Sequence, residues 1–361
     1  MLNNLTRAAA RNASFPSFSF ERWHAAAGLA LMATVLIPTD ANACACGCGI
    51  FDVGANVLAG MPSESNNGYS VWFRYSYMNQ NRNWEGTSKA LASDNGDKWI
   101  NTSFYTVGAE YRINSSWTVM AELPVYDRQL VTTDDPQGSV TGIPNDVYQG
   151  TDVALGDLQL TAMYTGLSVD MSTGLTFGVK LPTGDDRGPT GAGGGPEFDR
   201  DSLPGTGSTD IMLGGYHVGQ FAPDSPFGYF VQARYQFAVL TDNYAADGGQ
   251  YRPGNELDDA AGVTYDFGAQ GPLADILPLV QILSSWRSHD TGTAADPLNS
   301  GYRRVLIAPG IQLRYDNLRI YADVAMPIYQ DTNSASSLAQ EGTSGQLVAS
   351  TLYKVQLSYD F

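Results

Sequence analysis

The stretch "LYKVQLSYDF", residues 352–361, decides the fold. Tyr353, Val355, Leu357, Tyr359 and Phe361 fall on one face. Leu352, Lys354, Gln356 and Ser358 fall on the other. A period of two is the period of a β-strand, and two faces of different polarity mean two different surroundings. An amphipathic strand that ends on an aromatic residue resembles the signal read by the outer-membrane barrel-assembly machinery. Tyr359 and Phe361 are its key positions.

The same alternation recurs upstream. In "YSVWFRYSYM" (69–78), Val71, Phe73, Tyr75 and Tyr77 oppose Trp72, Arg74 and Ser76. In "SWTVMAELPVYDRQL" (116–130), Trp117, Val119, Ala121, Leu123 and Val125 oppose Thr118, Met120, Glu122, Tyr126 and Arg128. The pattern predicts about twelve strands, near 69–80, 100–112, 116–131, 153–166, 172–183, 206–220, 227–241, 256–267, 274–288, 303–315, 317–330 and 350–361. Each is long enough for the roughly 9–11 tilted residues that cross a bilayer. Connections alternate: short at 114–116, 167–171, 220–226, 268–272 and 316–317, long at 82–99, 132–152, 184–205, 242–255, 289–302 and 331–349. An even strand count, short turns at one end and long loops at the other describe a transmembrane up-and-down antiparallel β-barrel with periplasmic termini. The expected location is the outer membrane of a Gram-negative bacterium, with lipid and lipopolysaccharide as surroundings.

A basic or acidic side chain on the lipid face is costly, about 2–4 kcal/mol for Arg or Lys at the midplane. Arg74, Glu110, Glu122, Arg128, Asp157, Lys180, Asp210, Arg234, Arg304, Arg314 and Asp323 are therefore expected to face inward, as alternation puts them. Two readings are open. The charges pair and fill the barrel, or they line a polar path for a small solute.

The leader has its own logic. Arg7, Arg11 and Arg22 precede the apolar run "AAAGLALMATVLI" (25–37), and "ANA" (41–43) is a small-x-small cleavage site. That predicts a signal peptide over 1–43, a cysteine-bearing segment over 44–68 and the barrel over 69–361. Cleavage removes three arginines and two carboxylates, which takes the formal charge from −17 to −18. Such an acidic chain does not bind nucleic acid by neutralising phosphates. Acid gathers in or beside the long loops: Asp134, Asp135, Asp146 and Asp152 in or beside one, Asp185, Asp186, Glu197, Asp199 and Asp201 in another, and Asp242, Asp247, Glu256, Asp258 and Asp259 in or flanking a third. There it bridges divalent cations at the lipopolysaccharide surface or concentrates cations at a mouth.

All 3 cysteines, Cys44, Cys46 and Cys48, sit in "ANACACGCGIFDVG" (41–54). In an extended chain, residues two apart point the same way. Three thiolates side by side suit Cu(I), Zn or an iron–sulfur centre, or a docking site for a periplasmic metal or redox protein. Lipidation of Cys44 and disulfides to other molecules are the other readings.

Enzymatic chemistry has little footing. Ser288, His289 and Asp290 are neighbours in "SWRSHDTG" (285–292), whereas a catalytic triad is assembled in space and not along the chain. "GAGGGP" (191–196) lacks the lysine and helix of a phosphate loop. No enzyme is expected.

"GVKLPTGDD" (178–186), "GTGSTD" (205–210), "ACGCGIFDVG" (45–54) and "GQYRPGNELD" (249–258) carry a resemblance. With these motifs the chain is similar to the outer-membrane barrels of the phenol-degradation meta-pathway family, grouped with small-molecule transporters, and within it to a subgroup with an N-terminal CxCxC segment. The resemblance implies a barrel for passive transport of small molecules, aromatic or hydrophobic ones among them. The alternative is a barrel that does not transport and anchors its thiolate segment to a periplasmic partner.

Overall fold

The computed structural model describes residues 68–92, 95–132, 148–186, 202–241, 243–244, 249–293, 295, 300–332 and 346–361. The signal peptide, the three cysteines and much of the acidic loop sequence lie outside these residues.

Twelve strands follow one another around a closed antiparallel barrel, and no α-helix occurs among the described residues. They are β1 (Tyr69–Glu85), β2 (Asp97–Asn114), β3 (Trp117–Thr132), β4 (Tyr148–Leu155 with Leu158–Tyr164), β5 (Thr173–Leu181) and β6 (Ser208–Gln220). The second half comprises β7 (Phe227–Thr241), β8 (Glu256–Tyr265), β9 (Asp275–Arg287), β10 (Tyr302–Tyr315), β11 (Leu318–Asp331) and β12 (Gln346–Asp360). The C-terminal strand closes the ring against β1, from Ser70↔Asp360 to Trp84↔Gln346. Closure leaves the barrel without a free sheet edge, the condition for strands to span a bilayer.

Facing follows the alternation. On β12, Tyr353, Val355, Leu357 and Tyr359 are exposed on the outer surface, and Lys354, Gln356 and Ser358 are buried inside. The outward apolar belt continues through Val71 and Phe73 on β1, Val107 on β2, Val119 on β3, Phe177 on β5 and Val280 on β9. Tight turns close the other ends. Tyr315 pairs with Leu318 across Asp316–Asn317, and Asp316 takes φ 51°. Asp and Asn tolerate that left-handed geometry, which two-residue hairpins need. In the turn before β5, the Ser172 hydroxyl and backbone N–H hold the Asp170 carboxyl below its ordinary range.

The interior is not uniformly polar. Met78, Phe104, Phe230, Leu283, Leu306 and Tyr321 form an apolar cluster inside the wall. Period-two reading fixes which positions point inward, and it does not say that an inward row must be hydrophilic.

One strand departs from regularity. The expected 153–166 strand is broken at Gly156–Asp157. β3 pairs with both halves, Val125↔Leu155 and Glu122↔Gln159. The second half has gained a residue, so the break is a bulge. Val153 and Leu155 are exposed before it and Leu160 after it, which reverses the parity of the strand. Gly156 is dictated by space, because a Cβ there would lie 2.3 Å from the Tyr126 ring. β5 pairs only with the second half, Leu158↔Leu181. The first half receives no second strand among the described residues. The chain after β5 takes that place, and Asp185 N–H donates to Leu155 O at 2.9 Å.

Candidate functional site

The segment after β5 turns inward and is tied down where β4 breaks. Asp157, turned into the barrel by the bulge, accepts from Gly184 N–H at 3.0 Å and from Thr206 N–H at 3.1 Å. A Cβ on Gly205 would sit 2.5 Å from Gly184 C, and one on Gly184 would sit 2.7 Å from Gly156 C. Three backbones meet at the closest approach glycine allows. Lys180 lies under this crossing. Its Nζ reaches Asp157 Oδ2 at 2.7 Å and Asp210 Oδ2 at 3.3 Å, and it also donates to Thr206 Oγ1. Gln236 Nε2 and Ser208 Oγ donate to the other carboxylate, Asp210, at 2.7 and 2.5 Å. The residues of "GVKLPTGDD" and "GTGSTD" are thus one knot.

A second segment, after β7, is tied to the end of β9. Asp290 accepts from Tyr251 Oη at 2.8 Å, Gly254 N–H at 2.7 Å and Arg287 Nη2 at 2.6 Å. Ser288 Oγ accepts from Asn255 N–H at 2.9 Å. A Cβ on Gly254 would overlap Ser288 O at 1.8 Å, so "GQYRPGNELD" needs its glycine to lie flat on β9. Among the described residues His289 bonds neither Ser288 nor Asp290, and both neighbours serve the loop.

Between the two knots, in the half of the barrel nearer the long loops, lies a cavity of about 140 Å³. Arg74, Glu122, Arg128, Asp157, Lys180, Asp210 and Arg234 all line it, together with Glu256 and Arg287. Arg74 meets Glu122 at 3.6 Å and lies over the Trp72 ring. Arg234 meets Asp258 at 2.9 Å, directly across the β7–β8 ladder. Phe104, Pro124, Tyr126, Leu203 and Pro204 supply apolar wall.

The remaining inward candidates lie elsewhere. Arg304 is buried and stacked over the Tyr302 ring at 3.8 Å. Asp323 accepts from Tyr321 Oη at 2.6 Å and sits opposite Lys354. Glu110 shares the short-turn end with Arg112, Arg319 and Asp360. Arg314 also belongs to that end. It keeps half its side chain exposed and pairs with Asp275 at 2.6 Å, so it is a rim charge. Glu256, Asp258 and Asp259, expected to flank the third acidic loop at the start of a strand over 256–267, open β8 at Glu256. Tyr359 and Phe361 pack edge to face at 4.9 Å, and Phe361 N–H donates to Tyr69 O at 2.8 Å. Sequence reading gave Tyr251 and Thr206 no role and weighed Asp290 only as a triad member. Thr206 adjoins Gly205 and Asp290 lies two residues from Gly292, and both glycines mark close backbone approaches.

No family model and no curated protein matches the chain. Solved structures do match. An outer membrane channel from Pseudomonas putida F1 aligns with TM-score 0.57 at 11% identity, over 83% of this chain and 99% of that one. The β domain of the Bordetella autotransporter BrkA aligns with TM-score 0.45 at 11% identity, over 81% and 100%. The P. putida toluene transporter TodX aligns with TM-score 0.36 at 10% identity, over 86% and 93%. At this identity the first likeness establishes a shared fold.

Proposed function

We propose that the chain is an outer-membrane channel that lets small solutes cross passively through a constricted, charge-lined lumen. The observation that carries this reading is the cavity itself. Among the described residues two inward segments narrow the barrel and leave a space walled by charged side chains. Paired charges in a narrow passage select by field and size, as channel constrictions do. The similarity in fold to an outer membrane channel supports the same reading. With twelve strands both ends of the barrel chain lie on the short-turn side, which is the periplasmic side in this topology. Tyr359 and Phe361 would present the assembly signal there. Aromatic or hydrophobic solutes are suggested by the family resemblance alone, since the cavity wall favours polar ones.

The test is electrical. Purified protein in a planar bilayer should give discrete conductance steps that depend on salt. Exchanging Glu122 or Arg234 for Ala should change their size or ion preference. Wild-type protein that never conducts at any voltage would remove the channel reading.

A second reading has an observation in its favour. The apolar cluster around Met78, Phe230, Leu283 and Leu306 occupies interior space that an open pore would leave to water. A closed barrel would anchor the segment carrying Cys44, Cys46 and Cys48, which would hold Cu(I) or Zn or dock a periplasmic metal or redox protein. Catalysis forms no part of either reading.

A further inference from the structure

Asp259 departs from the pattern that turns charge toward the lumen. On β8, Ala260 packs with Phe230 and Leu283 in the interior cluster, and Asp258 meets the lumen-facing Arg234. The register of β8 shows no shift against either neighbour. Leu257, Asp259, Ala261 and Val263 therefore point outward, and Val263 is exposed there. Asp259 is nonetheless only 8% exposed. Beside it in the ladders stand two small residues, Ala233 on β7 and Ser284 on β9. Tyr235 and Trp286 occupy the outward row above, and Val231 and Ile282 the row below. The carboxylate lies on the floor of a trough in the outer wall.

The trough lies within the apolar belt. Six residues separate Asp259 from Tyr265, which packs with Phe227 and Phe267 at the short-turn end. At roughly 3.3 Å per residue and a tilt of about 40°, the carboxylate stands about 15 Å above those rings, inside an apolar band about 25 Å tall. Tyr235 and Phe237 carry the apolar surface above it on β7.

Among the described residues Asp259 accepts one hydrogen bond, from Ser284 Oγ at 3.4 Å, and joins no ion pair. The charged group beside it is another carboxylate, Asp258. Arg303, an outward cation two strands away, faces Asp331 across the β10–β11 ladder. Residues 242, 245–248, 294 and 296–299 belong to the two long connections at this end of β7–β10 and lie outside the described residues. They include no lysine, arginine or histidine. A carboxylate turned toward lipid with one long hydrogen bond is costly unless a donor reaches it through the bilayer. A hydrated cation does not enter to that depth. A diacyl lipid with an amino head keeps its amine beside a phosphate at the surface. A single alkyl chain that ends in a primary ammonium carries no phosphate. It can lower its head into the trough, pair with the carboxylate and leave its tail on the apolar wall.

We propose that Asp259 and Ser284 form a docking site, on the lipid side of the barrel, for single-chain amphiphiles with a primary ammonium head. The site lies on the outer wall and does not rest on the channel reading.

Three probes of equal chain length separate the possibilities: bromododecylammonium, bromododecanol and bromododecanoate, added to protein in phosphatidylcholine vesicles. Bromine quenches tryptophan fluorescence on contact, and Trp286 stands diagonal to Asp259. The difference between wild type and Trp286→Phe isolates its signal. Bromododecylammonium should quench that signal at about tenfold lower concentration than bromododecanol, and bromododecanoate should be weakest. Asp259→Asn should abolish the tenfold preference, and Asp259→Glu should retain it. Ala233→Leu narrows the trough while the carboxylate stays, and it should weaken the ammonium probe if Asp259→Asn fails to insert. An ammonium preference unchanged in Asp259→Asn would overturn the proposal. So would equal quenching of the wild type by the alcohol, the mark of an apolar trough in which charge plays no part. Phosphatidylethanolamine that displaces bromododecylammonium when mixed into the vesicles would overturn the single-chain occupant in favour of a diacyl lipid.

Discussion

Lys180 shows what single residues contribute. Its ammonium holds Asp157 and Asp210 on either side, at 2.7 and 3.3 Å, and all three are buried. Removing the cation leaves two carboxylates facing each other in a wall that water reaches poorly. Breaking a buried pair from one side costs about 3–5 kcal/mol. Lys180→Met should therefore lower the urea midpoint of the barrel in lipid vesicles by a corresponding amount. Adding Asp157→Asn and Asp210→Asn should restore much of it. An unchanged midpoint in the single variant would show that the triad contributes nothing. At this scale the sequence was legible where alternation was regular. Arg74, Glu122, Arg128 and Arg234 were assigned inward from parity, and all line the cavity. Asp157 reached the same side by another route, through a bulge that period-two reading does not see. Arg314 has inward parity and still lies at a rim, because parity carries no information about depth.

The elements were read closely, as the β3 and β7 boundaries illustrate. Trp117–Thr132 and Phe227–Thr241 differ from 116–131 and 227–241 by a residue at most, since polar turns bound long amphipathic runs. The break in β4 was not legible. It depends on Gly156, Gly184 and Gly205, which are far apart in the chain and meet only in the folded barrel. A lone glycine in a strand pattern signals a bulge or a close approach without naming its partner. Length alternation makes a topological prediction at this scale. The connections between β3 and β4 and between β5 and β6 should lie outside the cell. A cysteine introduced at Gly138 or Gly193 should react with a membrane-impermeant thiol reagent in intact cells. Labelling that appears only after lysis, at both positions, would turn the barrel over.

For the molecule as a whole, the described strands close the sheet among themselves. Ladder pairing runs unbroken around the ring and joins β12 to β1, so residues 69–360 complete the sheet by themselves. The apolar belt meets lipid and the mixed charges meet one another inside, and neither arrangement calls on a thiol. Cys44, Cys46 and Cys48 lie outside the described residues, ahead of β1. We therefore expect replacement of all three by Ser to leave heat-modifiable mobility and membrane insertion unchanged. If the three thiolates form one site, the same variant should lose stoichiometric Cu(I) or Zn binding that the mature wild type displays. Protons compete with metal for sulfur, so that binding should weaken as pH falls. Two measurements separate the outcomes: metal content by mass spectrometry under native conditions, and the intact mass of the mature N-terminus. A mature chain that binds no metal and carries acyl groups on Cys44 would replace the metal reading with a lipid anchor. Loss of barrel mobility in the triple variant would contradict the independence that closure implies. Intact mobility with metal lost would leave a barrel that carries two separable devices, a charged lumen and a thiolate segment, on one closed sheet.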